Sequence, residues 1–217
     1  MSTLSVVIAT FNRLPYLKRC IESCQGADEI IVVDGGSKDG TLEWLRGQRI
    51  ILIEQGAAYG ACYAFNAGFG AAECDYVAAL NDDCVVIGDT LRLAVDYLDA
   101  HDKCGQVALP WHDVGDRDLR VMPVTIGKQQ LPVIYANFGV TRRWLGDQVG
   151  WWGEWYHYGG DCELSFQILM AGYTVDALPG GEILHYRVHD ATRQTCYHNN
   201  AFMQKWMTID VRHLMSV

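Results

Sequence analysis

The sequence predicts an α/β fold with a mostly parallel central sheet and helices on both of its faces. In the first half of the chain, short β-branched runs alternate with helical patterns, which indicates right-handed βαβ units. The runs are continuously apolar, as is typical of strands that helices cover on both sides. The apolar runs are LSVVIAT, EIIVVD, RIILIE and DYVAAL, and the helical patterns are YLKRCIESC and TLEWLRG.

The second half of the chain, from about residue 106, predicts a smaller mixed β region on the same sheet. Its runs are QVALPWHD, RVMPVTI, LPVIYANFGVT, YTVDAL and EILHY, with Pro and Gly between them. We expect a helix over about 161–171, with Asp161 as its N-cap and Gly172 as its stop. A final amphipathic helix is expected over 200–214, and it could close the core, form a homodimer contact or touch a membrane face.

Composition narrows the class of protein. The 217 residues include 17 basic and 26 acidic ones, which gives a formal net charge of −9. Because proteins that follow a phosphate backbone need clustered Lys and Arg, we expect no nucleic-acid partner. The first residues lack a basic and then apolar leader, and no run of about twenty apolar residues occurs. We therefore expect a cytoplasmic chain without a transmembrane segment.

Eight cysteines are present, most of them inside apolar segments. We expect reduced core thiols rather than a disulfide framework. Cys20 and Cys24 lie on one amphipathic helical pattern and no CxxC pair occurs, so a structural zinc site is disfavoured.

Ligands of parallel sheets bind beyond the carboxyl ends of the strands, which directs attention to residues 10–13, 34–41 and 81–83. In the second of these segments, Asp34 ends an apolar run and precedes a Gly-Gly turn. Its carboxylate could accept hydrogen bonds from a base or a ribose. The alternative is a strand-to-helix turn in which Asp34 accepts only from backbone amides.

Asn81, Asp82 and Asp83 follow the fourth apolar run. Adjacent carboxylates repel each other unless a cation compensates them, and Mg²⁺ or Mn²⁺ is commonly held by one or two carboxylates together with substrate phosphates. We favour this interpretation over an exposed acidic turn because the pair follows a buried strand. His185 could add an imidazole ligand, which would favour manganese; the alternative is a structural hydrogen bond.

The segment GWWGEWYHYGGDCEL leads into the predicted helix at Asp161. A carboxylate fixed at a helix start can also act as a general base that removes the proton of an attacking hydroxyl. The cluster of aromatic residues before it is expected to supply mostly core, with one or two members lining an acceptor cleft. These residues are Trp151, Trp152, Trp155, Tyr156 and Tyr158.

Taken in order, these motifs resemble those of the GT-A fold glycosyltransferases of family 2, especially the rhamnosyltransferase-like members. SVVIATFNR looks like the opening strand of that family, and VDGGSKDGT looks like its strand-to-helix turn. In YGACYAFNAGFGAAECDYVAALNDD, Gly60, Asn66 and Gly68 fall at the family's spacing. GWWGEWYHYGGDCELSFQILMAGYTV is similar to the segment that carries the base, and His185 lies where many members have a metal-binding histidine.

The resemblance implies a Rossmann-like GT-A catalytic domain over residues 1–217, with a nucleotide-binding half over about 1–105 and an acceptor-side half over about 106–217. It implies inverting transfer of a hexosyl or deoxyhexosyl group from a UDP-, dTDP- or GDP-sugar to a hydroxyl of a saccharide or other acceptor, with Mn²⁺ or Mg²⁺. The implied site residues are the base Asp161; the metal ligands Asp83 and His185; the donor-binding residues Thr10, Asn12, Asp34, Gly60, Asn66, Asn81 and Asp82; and the acceptor-side residues Trp152, Trp155 and Glu163.

Three features depart from the family pattern. Gly35 stands where many members have a second acidic residue, which removes one uracil contact. Gly160 stands before Asp161 where an acidic residue is usual, although Glu163 keeps the next acidic position. The chain is also short for the family.

Two other function classes fit a similar fold. A catalytically inactive nucleotide-sugar-binding or scaffold protein is one, but a scaffold has no need of both Asp83 and Asp161. A sugar nucleotidyltransferase is the other, and it ranks lower because residues 9–13 contain no glycine for a triphosphate loop.

Overall fold

The computed structural model describes residues 1–126, 129–153 and 159–188, with the backbone alone described at 124–126 and 129–132. Its strands are β1 (Leu4–Thr10), β2 (Glu29–Asp34), β3 (Ile51–Glu54), β4 (Tyr76–Asn81), β5 (Cys84–Ile87), β6 (Cys104–Ala108), β7 (Trp111–Asp113), β8 (Met122–Ile126), β9 (Gln129–Tyr135), β10 (Gly139–Arg142), β11 (Thr174–Ala177) and β12 (Glu182–His185). Its helices are α1 (Leu14–Ser23), α2 (Thr41–Leu45), α3 (Ala61–Ala71), α4 (Thr90–Ala100), α5 (Arg143–Val149) and α6 (Gly160–Met170). The predicted tail helix over 200–214, Cys196 and the aromatic residues Trp155, Tyr156 and Tyr158 lie outside the described residues.

The central sheet has seven strands in the order β11-β6-β10-β4-β1-β2-β3. Four of its six pairings are parallel, and β10 runs antiparallel to both β4 and β6. The predicted mostly parallel sheet is therefore confirmed, and strands from the second half of the chain extend it at one side. Because Thr10 pairs with Asp34 and Ala9 pairs with Asn81, the ends of three parallel strands meet at one edge.

Two apolar layers cover the central sheet, one on each face. On one face, the side chains of Leu4, Val6 and Ile8 pack with Leu17 of α1 and Leu91 of α4, and all five are fully buried. The alternation along β1 then places Val7 on the other face. This division of one strand between two cores confirms the prediction that helices cover both faces.

The second layer joins Val7 to Phe65 and Phe69 of α3 and to Leu164 of α6. Helix α3 lies close to the sheet because Gly68 faces β1. A Cβ atom at Gly68 would lie 2.2 Å from Cγ1 of Val7, a separation that real side chains do not adopt. The Gly68 position therefore sets the depth at which α3 packs.

A separate three-stranded sheet has the order β5-β12-β7. Strand β12 pairs antiparallel with β5, where His185 lies opposite Cys84, and parallel with β7, where His185 lies beside Asp113. Residues from three distant parts of the chain thus come together at the end of β4.

The start of α6 differs from the expectation. The predicted N-cap is Asp161, but Gly159 occupies that position with φ of 94°, and the helix begins at Gly160. The left-handed conformation favours glycine, so the carboxylate of Asp161 lies within the first turn instead. At the other end, Gly172 has φ of 84°, consistent with its predicted role as the stop.

The seven cysteines in the described part of the chain are free, and most of them are buried. None of the helices in that part combines the length and the apolar character needed to cross a membrane.

The two glycines of α3 give a matched test of its packing. Gly68→Ala should lower the free energy of unfolding by about 1–3 kcal/mol, because the new methyl group overpacks against Val7. Gly70→Ala should raise it by about 0.5–1 kcal/mol, because Gly70 is exposed and a methyl group added there would meet no atom within 4 Å. Urea denaturation of both variants checks this, and equal effects would contradict the close approach of α3.

Candidate active site

A cavity of about 580 Å³ lies at the carboxyl edge of the central sheet. It brings together most of the residues that the sequence singled out. Those that line it are Thr10, Gly60, Asn81, Asp82, Asp83, Trp152, Asp161 and His185. Asp83 and Asp161, which come from different halves of the chain, therefore face the same space.

Asp82 is braced by the loop after β1. Its Oδ2 accepts a hydrogen bond from the hydroxyl of Thr10 (2.9 Å), and its Oδ1 accepts one from Nη1 of Arg13 (2.9 Å). Burial and the neighbouring charge of Asp83 raise the pKa of Asp82 to about 6, although Arg13 and Thr10 oppose the shift. Both carboxylate oxygens thus accept hydrogen bonds within the protein, which ties Asp82 to Thr10 and Arg13.

Asp83 turns the other way, toward β12. Its Oδ2 accepts a hydrogen bond from the backbone N–H of Val188 (2.9 Å), and its Oδ1 lies 3.4 Å from Nε2 of His185. Burial works against ionisation of Asp83, but His185, the Val188 amide and Arg13 outweigh it, so the pKa of Asp83 is lowered. This carboxylate is held in its charged form.

Asp83 Oδ1 and His185 Nε2 are both buried, and neither has a hydrogen-bond partner among the described residues. The other ring nitrogen of His185, Nδ1, lies 2.8 Å from Oδ1 of Asp113. A carboxylate is acceptor-only when ionised, so Nδ1–H donates to Asp113 and Nε2 is the ring nitrogen that faces Asp83. A buried carboxylate oxygen and a ring nitrogen that face each other at 3.4 Å can share a cation, which is the chemistry predicted for this pair.

The thiol of Cys84 also lies near this pair, and the three possible ligand atoms are within 4.8 Å of one another. Cys84 is fully buried in the apolar core. Burial, together with the charges of Asp83 and Asp82, raises the pKa of this thiol well above its usual value. Since a thiol must lose its proton to bind a metal, Asp83 and His185 are the better-suited ligands.

Asp161 lies in the first turn of α6, where its Oδ1 accepts a hydrogen bond from the N–H of Cys162 (2.8 Å). Burial raises the pKa of Asp161 to about 6, and backbone amides oppose the shift. The carboxylate is therefore mostly ionised at pH 7 and yet more basic than an ordinary aspartate. A pKa near the working pH is what a general base requires.

Asp34 is fully buried beside the cavity wall that Gly35 and Gln55 line. Its Oδ1 accepts hydrogen bonds from the amides of Gly36 and Ser37 (both 2.8 Å), as the turn alternative predicted. Its Oδ2, however, has no hydrogen-bond partner among the described residues, and neither has either side-chain polar atom of Gln55. Buried polar atoms left in this state are costly, and a bound ligand could satisfy them.

Three of the predicted site residues lie outside the described lining of the cavity. The amide of Asn12 accepts from the N–H of Lys38 (2.7 Å), which braces one loop against the next. Asn66 makes two hydrogen bonds with the backbone of Trp152: its Nδ2 donates to the carbonyl (2.9 Å) and its Oδ1 accepts from the N–H (3.2 Å). Glu163 is fully buried. None of the three lines the described part of the cavity.

The packing around Gly160 explains why a glycine, rather than an acidic residue, stands before Asp161. Trp152 packs against Phe65, with ring centroids 4.4 Å apart, and a Cβ atom at Gly160 would lie 2.5 Å from the Trp152 ring. An acidic side chain at Gly160 would therefore displace this indole from the cavity wall.

The cavity also contains residues that the sequence did not single out. They are Arg13, Gln55, Trp111, Asp113, Arg120, Asn137 and Arg187, among others. For Arg13, Asp113 and Arg187 a signal existed, because Arg13 lies in segment 10–13, Asp113 ends the run QVALPWHD and Arg187 follows the run EILHY. Arg120 carries no comparable signal, since its position depends on its bridge to Trp111 and its ion pair with Asp113.

The sheet order, the helices on both faces and the cavity at the carboxyl edge define a GT-A fold. The chain belongs to glycosyl transferase family 2, whose family model matches residues 5–159. Among curated proteins, it is 32% identical over 219 residues to the succinoglycan biosynthesis protein ExoO of Rhizobium meliloti (strain 1021), covering 88% of this chain and 62% of that protein. This chain thus spans less than two thirds of that relative.

Solved structures show the same fold. The mannosyltransferase PcManGT from Pyrobaculum calidifontis, in complex with GDP-Man and Mn²⁺, superposes with a TM-score of 0.70 at 18% identity, over 89% of this chain and 59% of that one. S. aureus TarS 1-349 in complex with UDP-GlcNAc gives a TM-score of 0.74 at 17% identity, over 97% of this chain and 69% of that one.

The position of Asn66 gives a prediction. Asn66→Ala should lower the free energy of unfolding by about 1–3 kcal/mol, because it leaves the backbone polar groups of Trp152 without their partners. If the wild type binds a nucleoside diphosphate, the folded variant should bind it equally well, because Asn66 does not line the described part of the cavity. Chemical denaturation and calorimetric titration check the two parts. A large loss of nucleotide affinity without loss of stability would instead make Asn66 a donor contact.

Proposed function

We propose that this chain is a glycosyltransferase that moves a sugar from a nucleoside-diphosphate sugar to an acceptor hydroxyl, with a divalent metal and with inversion at the anomeric carbon. The observation that carries the proposal is that Asp161, whose pKa is raised to about 6, lines the same cavity as the Asp83–His185 pair. Family membership supports the transferase class.

The donor is proposed from two observations. The related folds bind nucleotide sugars: GDP-Man in PcManGT and UDP-GlcNAc in TarS. In this chain, the side chains of Asp34 and Gln55 carry buried polar atoms that have no hydrogen-bond partner among the described residues, and the two backbones are adjacent, because the N–H of Gln55 donates to the carbonyl of Asp34 (3.0 Å). We assign the nucleoside to this part of the cavity, with UDP, dTDP and GDP as the candidate carriers.

Asp83 Oδ1 and His185 Nε2 would hold the divalent ion, Mn²⁺ or Mg²⁺. When bound, such an ion stabilises the negative charge of a departing nucleoside diphosphate. Asp83 is suited to this role because it stays ionised, and His185 because Asp113 fixes its tautomer. Mn²⁺ in the PcManGT complex supports a metal in this fold.

Asp161 is assigned the role of base. The acceptor oxygen forms a bond to the anomeric carbon, the bond from that carbon to the phosphate oxygen breaks, and the acceptor proton passes to the carboxylate of Asp161. Cys162 N–H holds Oδ1 (2.8 Å), so we assign the proton to Oδ2. A single displacement of this kind inverts the anomeric centre.

The first test replaces Asp161 by Asn, which keeps the shape and removes the base. Transfer from a panel of UDP-, dTDP- and GDP-sugars should fall by about 10²- to 10⁴-fold, while the dissociation constant of the donor stays unchanged. Asp96→Asn, at an exposed carboxylate of α4, is the control and should keep full activity. If the wild type binds a donor and transfers to no acceptor, the chain is a binding or scaffold protein.

The pH dependence follows from the raised pKa of Asp161. A base acts in its ionised form, so kcat/KM should be level above about pH 6 and should fall about tenfold per pH unit below it. The profile is measured from about pH 4.5 to about pH 8 at saturating metal. An ordinary aspartate would keep the plateau to about pH 4, and a plateau that extends so low would contradict the assignment.

A further inference from the structure

Asp113 joins three other groups of the cavity wall. Its Oδ1 lies 2.8 Å from Nδ1 of His185, and its Oδ2 accepts hydrogen bonds from Nη2 of Arg120 (2.7 Å) and from Nη1 of Arg187 (3.3 Å). Asp113, His185, Arg120 and Arg187 all line the cavity. A single carboxylate, 13% exposed at its side chain, therefore connects an imidazole and two guanidinium groups.

The backbone places Asp113 and His185 side by side. Both residues end a strand, and β7 and β12 run parallel with these two residues in register. The side chain of Asp113 therefore reaches Nδ1 without a long or flexible connection. A carboxylate on one ring nitrogen fixes the tautomer and the orientation of the ring, and it makes the other nitrogen a stronger ligand.

The two arginines pair with the same carboxylate. The guanidinium of Arg120 stacks over the ring of Trp111, with Cζ 4.2 Å from the ring centroid. Arg187 has φ of 50°, a left-handed conformation that is unfavourable for a side chain of this kind. Its ion pair with Asp113 is thus formed by a residue whose backbone is held in a strained position.

We propose that Asp113 is a positioning residue: it aims Nε2 of His185 at Asp83 and holds Arg120 and Arg187 at the wall of the same cavity. Metal affinity and donor binding then both depend on one carboxylate that acts through other side chains. The inference rests on the proposed function, in which Asp83 and His185 hold the metal.

The chain offers a matched control. Asp116 also pairs with Arg120, through Nη1 at 3.1 Å, but its side chain is 51% exposed and makes no contact with His185 among the described interactions. Asp113→Asn and Asp116→Asn remove the same charge from the surroundings of Arg120. Only the first of them acts on the imidazole.

The experiment titrates Mn²⁺ alone into the full chain and measures the free ion by electron paramagnetic resonance. Asp113→Ala should weaken Mn²⁺ binding by about 10- to 100-fold. Asp113→Asn should weaken it less, because the amide oxygen can still accept from Nδ1–H, and Asp116→Asn should leave it unchanged. Circular dichroism and thermal unfolding establish that each variant is folded.

Kinetics separate the two effects of Asp113. At saturating Mn²⁺, Asp113→Asn should recover the wild-type kcat, while its KM for the donor stays several-fold raised because the arginines have lost their charged anchor. A merely structural role would lower kcat and metal affinity together with thermal stability, and the metal would not restore kcat.

The outcomes are distinguishable. If folded Asp113→Ala binds Mn²⁺ as tightly as the wild type, the inference is wrong while the proposed function stands. If Asp113→Ala does not fold, Asp113→Asn decides instead, and the inference is wrong if that variant has both the Mn²⁺ affinity and the donor KM of the wild type. If the wild type binds no Mn²⁺, the metal step of the proposed function fails, and the role of Asp113 fails with it.

Discussion

Two neighbouring carboxylates at the end of β4 have different partners, and the site depends on this division. Asp82 accepts from Thr10 and Arg13, and burial raises its pKa to about 6. Asp83 faces His185 and the Val188 amide, which keep its pKa low. Adjacent like charges in a buried position are unfavourable unless each is compensated. The protein compensates Asp82 internally and leaves one oxygen of Asp83 directed at an imidazole.

This arrangement requires chain segments that are far apart in sequence. Strand β12 lies between β5, which follows Asp83, and β7, which ends at Asp113. Helix α6 then brings Asp161 to the same cavity from the other side of the central sheet, where Leu164 packs into the second core layer. The fold thus holds the proposed metal ligands and the proposed base on separate elements, each fixed by its own packing.

Much of the fold could be predicted from the sequence, because β1, β2, β3 and β4 are apolar runs with clear boundaries. Helix α3 gave no periodic signal, since Asn66 is the one strongly polar residue of ACYAFNAGFGA and no polar face alternates with an apolar one. For the site, Asp83, Asp161 and His185 could be singled out as strand-end or helix-start residues. Asp113, Arg120 and Arg187 could not be grouped, since the register between β7 and β12 and the bridge between Trp111 and Arg120 bring them together. The N-cap prediction for Asp161 was wrong because the glycine before α6 adopts a left-handed conformation.

The central claim is that a cation held by Asp83 and His185 and the carboxylate of Asp161 act on one sugar. Anomalous diffraction from crystals grown with Mn²⁺ and a nucleoside-diphosphate sugar tests it most directly. The account predicts a manganese peak about 2.0–2.3 Å from Asp83 Oδ1 and from His185 Nε2, with Asp161 on the face of the sugar opposite the diphosphate. A peak at other ligands, or a sugar out of reach of Asp161, would contradict it.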